Sequence, residues 1–83
     1  MSTEIMEAQL RAALDTDARL IERACRTRFH QPSGVGVEFG SSEVGIWHWV
    51  NGRFELHVDD SGPAVAVDTV AEAVRYTRNE LAR

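Results

Sequence analysis

The stretch Gly45-Ile46-Trp47-His48-Trp49-Val50-Asn51-Gly52-Arg53-Phe54-Glu55-Leu56-His57-Val58 decides the fold. Two alternating runs flank Asn51-Gly52, the pair best suited to a type I′ turn, which needs positive φ at both central positions. A two-residue turn fixes the pairing. Val50 faces Arg53, Trp49 faces Phe54, His48 faces Glu55, Trp47 faces Leu56 and Ile46 faces His57. Successive side chains of a strand point to opposite faces. One face therefore takes Trp47, Trp49, Phe54, Leu56 and Val58; the other takes Ile46, His48, Val50, Arg53, Glu55 and His57.

Upstream, Val35, Val37 and Phe39 alternate with Gly36 and Glu38 as a half-buried strand. These three join the tryptophan face only if the connecting loop is odd-numbered, for example three residues pairing Gly40 with Val44, because a one-residue slip reverses every side chain. A single core face requires the odd loop, which is the expectation. Gln31-Pro32-Ser33-Gly34 reads as a linker. Downstream, Asp59-Asp60-Ser61-Gly62-Pro63 is an acidic turn, and Ala64–Val67 has the makings of an edge strand. Thr69-Val70-Ala71-Glu72 then fits a capping box, and Val70, Ala73, Val74, Thr77 and Leu81 form the inner stripe of a last helix.

Residues 3–29 read as helix. Met6, Leu10, Ala13, Leu14, Leu20, Ile21, Ala24 and Cys25 share one stripe, while Arg11, Arg19, Arg23 and Arg26 lie outside it. Glu7 and Arg11, Asp15 and Arg19, and Glu22 and Arg26 are acid-before-base pairs at i,i+4. Asp17 falls within the apolar stripe. Either the helix breaks at Asp15-Thr16-Asp17 with a polar cap, or it continues with Asp17 at the core edge; without a Gly or Pro breaker, continuity is favoured. The fold class is α+β: an N-terminal helix, a three- to four-stranded antiparallel sheet and a C-terminal helix, with helices on one face, as one domain over residues 1–83.

Composition narrows the function classes. The chain has 83 residues, 43% hydrophobic and 27% charged, as in ordinary globular proteins. A chain so short buries only about 60–65% of its unfolded surface, so its core is thin. The single cysteine, Cys25, excludes an internal disulfide. No secretory leader pattern or long apolar run is visible, so a cytoplasmic location away from membranes is expected. All nine basic residues are arginine, which suggests a GC-rich coding genome, bacterial or phage. Net charge is −4 and concentrated in the middle: residues 31–68 hold six acids against Arg53 alone. That balance disfavours direct nucleic-acid binding.

The face opposite the tryptophans holds the candidate binding residues Glu38, Ile46, His48, Val50, Arg53, Glu55 and His57. Two histidines and a carboxylate can ligate zinc. Three ligands on an open strand surface enclose a metal poorly, however, and no metal or cofactor is expected. His48, Glu55 and His57 could also do acid–base chemistry, but no nucleophile or oxyanion donor accompanies them. Ile46 and Val50, ringed by His, Glu and Arg, have the composition of an interface centre and rim; isolated surface apolars are also common. Both tryptophans read as core rather than as stacking platforms. Arg19, Arg23 and Arg26 form a ridge that reads as a solvated helix face, and Cys25 reads as inert packing.

The function expected from these features is a small non-enzymatic protein-binding module. It would be an inhibitor or regulator of a bacterial or phage machine, of the anti-defence type by analogy alone, whose partner presents a basic surface. Alternatives are a homo-oligomeric accessory subunit, in the simplest case a homodimer, and a small metal-dependent or acid–base enzyme at His48, Glu55 and His57.

Overall fold

A computed structural model describes residues 2–82. Helix α1 (Thr3–Thr16) and the short helix α2 (Ala18–Glu22) precede five strands, β1 (Cys25–Phe29), β2 (Val35–Phe39), β3 (Ser42–Val50), β4 (Arg53–His57) and β5 (Pro63–Val67). Helix α3 (Val70–Tyr76) follows and widens over Thr77–Leu81 into a π-helical turn, in which Ala82 N donates to Thr77 O at 3.0 Å. The sheet is an antiparallel meander in the order β1-β2-β3-β4-β5. It has five strands, one more than the upper expectation.

The extra strand comes from residues read as helix. The helix breaks at Asp17, which adopts an extended backbone, and its side chain accepts from Leu20 N at 3.1 Å to cap α2. Continuity fails because Asp17 serves better as a cap than as an unpaired carboxylate in an apolar stripe. Ala24 then turns the chain with φ of 58°, and Cys25–Phe29 pairs along the whole of β2, from Cys25 opposite Phe39 to Phe29 opposite Val35. Of the stripe assigned to one long helix, Met6, Leu10, Leu14 and Leu20 are buried, whereas Ile21 is 57% exposed. The anticipated Glu22–Arg26 pair is lost, since Arg26 lies on a strand. Arg11 lies 3.7 Å from Asp15 rather than bonding Glu7.

The β3–β4 hairpin has the register read from the sequence, residue for residue. Asn51 and Gly52 have φ of 52° and 81°, as a type I′ turn demands. The β2–β3 connection differs from expectation. Phe39 pairs with Ser42 across the two-residue loop Gly40-Ser41, which alone would send Val35 and Val37 to the wrong face. A bulge corrects the parity: Glu38 faces Glu43 but Val37 faces Gly45, leaving Val44 as the extra residue. Val35 thus lies opposite Trp47, and both are fully buried. On the far side, β5 pairs with β4 from Phe54 opposite Val67 to Leu56 opposite Val65.

The helices cover the tryptophan face. Met6, Leu10, Leu14, Leu20, Val35, Val37, Trp47, Phe54, Leu56, Ala73, Val74 and Ala82 form one core cluster. Trp47 Nε1 donates to Thr77 Oγ1 at 3.1 Å, and Thr77 Oγ1 donates to Ala73 O at 2.8 Å, so the buried indole N–H and hydroxyl are both satisfied. Trp49 is only half-buried, stacked edge-on against Phe54 with ring centroids 4.7 Å apart. Val58 lies beside Leu56, its Cγ1 3.5 Å from where a Cβ on Gly45 would stand, but is 50% exposed because β4 ends at His57 and the core ends with it. The Thr69 half of the capping box forms, Thr69 Oγ1 accepting from Glu72 N, while the Glu72 carboxylate reaches one residue further back and accepts from Asp68 N. No helix among the described residues is long and apolar enough to cross a membrane.

Candidate functional site

The outer sheet face, away from the helices, carries a groove of about 550 Å³ where β3 and β4 run into the acidic turn. Gly45, Ile46 and Val58 supply its apolar surface; His48 and His57 form one wall; Glu43, Asp59 and Asp60 supply carboxylates. Its shape follows from local sequence. Ile46 and His48 alternate outward on β3, His57 closes β4 opposite Ile46, and the bulge at Val44 sets Glu43 back towards β2. Hydrogen bonds from Ser61 Oγ and Ser61 N hold the exposed Asp59 carboxyl below the ordinary value.

Glycines in and just before the neighbouring strand β2 make room for the side chains beside the groove. A Cβ on Gly36 would collide with the Glu43 carboxylate and come within 2.6 Å of His30 Nε2. Only a glycine therefore lets the His30–Glu43 hydrogen bond, 2.7 Å long, lie across β2. At Gly34, where φ is 121°, a Cβ would stand 2.9 Å from both Ile46 Cγ2 and His48 Cε1.

All three histidines of the chain gather on this face. The His48 and His57 rings meet edge-to-face with centroids 5.2 Å apart. Although His48 faces Glu55 in the register, the Glu55 carboxylate turns to His57 on its own strand, with Oε1 3.4 Å from Nε2. Burial pushes the His48 imidazole below its usual pKa; His57 and, more weakly, His30 add to this, while Glu7 and Glu55 oppose it. Among the described residues no three His, Cys, Asp or Glu side chains converge as a metal-ligand set.

The structure divides the residues singled out by sequence. Ile46, His48 and His57 line the groove, and Glu55 stands behind His57. Glu38 lies towards the β1 edge, 3.8 Å from Arg28 Nε. Val50 and Arg53 sit at the hairpin tip, where Arg53 Nη2 lies 3.4 Å from Asp68 Oδ1. Sequence reasoning missed Glu43, Val58 and His30 as members of this surface. It noticed Asp59 and Asp60 only as an acidic turn. The spacing of Gly34, just before β2, and Gly36 within it was the available signal that side chains from elsewhere lie across this segment.

Beneath the site is a buried carboxylate that the sequence presented as a surface ion-pair partner. Glu7 on α1 is 3% exposed. Its Oε1 accepts from Gly34 N at 2.7 Å and its Oε2 from Trp49 N at 3.0 Å. Strand β2 starts opposite Trp47, so the β3 N–H at Trp49 has no strand partner on that side, and the helix supplies the acceptor. Glu7 thereby fixes Gly34, against which Ile46 and His48 pack, and the backbone next to His48.

Comparison with family models, curated proteins and solved structures finds no match to the chain.

Proposed function

We propose that the chain is a small protein-binding module whose outer sheet face receives a basic segment of a partner protein. The observation that carries this reading is the groove itself, with apolar surface at Ile46 and Val58 bordered by Glu43, Asp59 and Asp60. Half of Val58 is open to solvent, and burying apolar surface contributes roughly 25 cal/mol per Å². An aliphatic side chain flanked by arginines or lysines would cover this valine and Ile46 while its cations meet the carboxylates. Such complementarity governs encounter rate and partner choice more than affinity, so association is salt-dependent. An inhibitory or regulatory role in a bacterial or phage cytoplasm accords with the small size, the arginine-only basic residues and the net charge of −4.

The test is an NMR titration of the whole chain with a short peptide holding a leucine between two arginines. Saturable amide shifts confined to Gly45–His48 and His57–Gly62 are expected, weakening with salt and lost in a folded Val58→Asp variant. Absence of saturation, or an equal response to the same peptide with glutamates for arginines, would overturn the reading. So would a concentration-dependent dimer in sedimentation that Ile46→Arg abolishes, because the groove would then be occupied by a second copy.

A further inference from the structure

Away from the sheet face, the chain carries a second depression, of about 280 Å³, between α2 and the C-terminal turn. Arg19 and Arg23 enter it from the α2 segment and Arg78 from the π-helical turn; Glu22 is the one carboxylate among its lining residues. We infer that this arginine pocket is a binding site for a small phosphate monoester, a ligand unrelated to the groove and independent of the function proposed for it.

The break at Asp17 creates the pocket. In a continuous helix Asp15 would stand one turn before Arg19 and neutralise it. In the structure the Asp15 carboxylate instead meets Arg11 and accepts from Thr27 Oγ1 at 2.7 Å. Asp17 is also occupied: it caps Leu20 N through Oδ1, and its Oδ2 lies 3.4 Å from Arg78 Nε. Arg19 and Arg23 are therefore exposed and make no ion pair with any described residue. They stand four residues apart, Arg19 within α2 and Arg23 at its C-cap. Three guanidiniums around one small depression run against the acidic balance of the chain as a whole.

The site is anchored rather than loose. Leu20, between Arg19 and Arg23, is fully buried and ties the segment to the core. Arg78 is 31% exposed, its Nε is buried without a hydrogen-bond partner, and Asp17 sets its position. Guanidinium forks suit the oxygens of a phosphoryl group, which accept paired, charge-assisted hydrogen bonds. The volume lies just below the range of ordinary ligand pockets, which favours a small phosphate ester over a nucleotide or a nucleic-acid strand.

The experiment is an NMR titration of the full chain at about pH 7.5, where a phosphate monoester is mostly dianionic. Phenyl phosphate, inorganic phosphate, acetate and a short oligothymidylate are added separately at matched ionic strength. Both phosphates should shift the arginine Nε–H signals and the amides of residues 19–23 and 78–82 saturably, with a dissociation constant on the order of 1 mM. Acetate should bind several-fold more weakly. Arg19→Gln with Arg23→Gln should weaken phenyl phosphate at least roughly tenfold while the circular dichroism stays unchanged. Non-saturating shifts, an equal response to acetate, or undiminished binding by the double variant would overturn the site. Saturation by inorganic phosphate but not by phenyl phosphate would overturn the ester as ligand. Oligothymidylate binding tighter than either phosphate would overturn the small-molecule assignment in favour of a nucleic-acid backbone.

Discussion

Replacing Glu7 should destabilise the protein far more than a change in the first turns of a helix normally does. Its carboxylate accepts from Gly34 N at 2.7 Å and from Trp49 N at 3.0 Å. Leaving a buried donor unsatisfied costs about 1–3 kcal/mol. Glu7→Ala orphans both N–H groups, so the loss should be about 2–5 kcal/mol, with the Trp49 bond, which is only partly buried, at the lower end. A domain of this length holds roughly 4–12 kcal/mol in total, and each kcal/mol moves the midpoint by about 4–8 °C. Glu7→Ala should therefore melt at least about 8 °C lower or fail to fold. Glu7→Gln keeps one acceptor but sets an amide NH₂ against the other N–H, and should lose about 1–3 kcal/mol. The assay is urea unfolding followed by far-ultraviolet circular dichroism and tryptophan fluorescence, with amide exchange read at Gly34 and Trp49. Glu4→Gln, at an exposed site one turn earlier, is the control and should change stability by less than about 0.5 kcal/mol. A Glu7→Gln protein as stable as that control, with Gly34 and Trp49 still protected, would show that the two hydrogen bonds do not hold helix to sheet.

Two further outcomes follow from titratable groups. Because His48 is held below its usual pKa, it stays neutral in the fold at a pH where the unfolded chain has begun to take up a proton. Its contribution is complete above the unfolded value near 6.5 and is lost as pH falls through that value towards the folded one; His48→Gln should flatten the decline in stability between about pH 7.5 and 5.5, and an unchanged slope would refute the assignment. The Cys25 thiol is pushed up to about 11 by burial, then by Asp15 and Asp17. A thiol reagent at neutral pH should react with the native protein roughly a hundredfold more slowly than with the urea-unfolded chain, whereas equal rates would contradict a half-buried thiol.

What the sequence determined by itself was local. Asn51-Gly52 permits one tight turn, and the turn fixes five cross-strand pairs and hence which side of the sheet Trp47 and His48 occupy. Thr69 and Glu72 carry their capping geometry within four residues. The outward placement of Ile46, His48, Glu55 and His57 was legible for the same reason, since a period of two leaves no freedom once the turn is set. Cys25–Phe29 also alternates, with arginines at 26 and 28 outward, but Ala24 and Cys25 extend the helical stripe equally well; a five-residue segment satisfies both periods. Strand won only because β2 offers a complete ladder to pair with. The bulge at Val44 was settled in the same way: the loop alone would have reversed β2, and burial of Val35 and Val37 beneath the helices selects the extra residue. Glu7 lies 27 residues from Gly34 and 42 from Trp49, the two donors that make its burial tolerable. A carboxylate enters a core only where unmatched N–H groups await it, and their position depends on where β2 begins relative to β3. The groove and the arginine pocket are products of that assembly, because each joins residues from separated elements whose meeting is decided by packing.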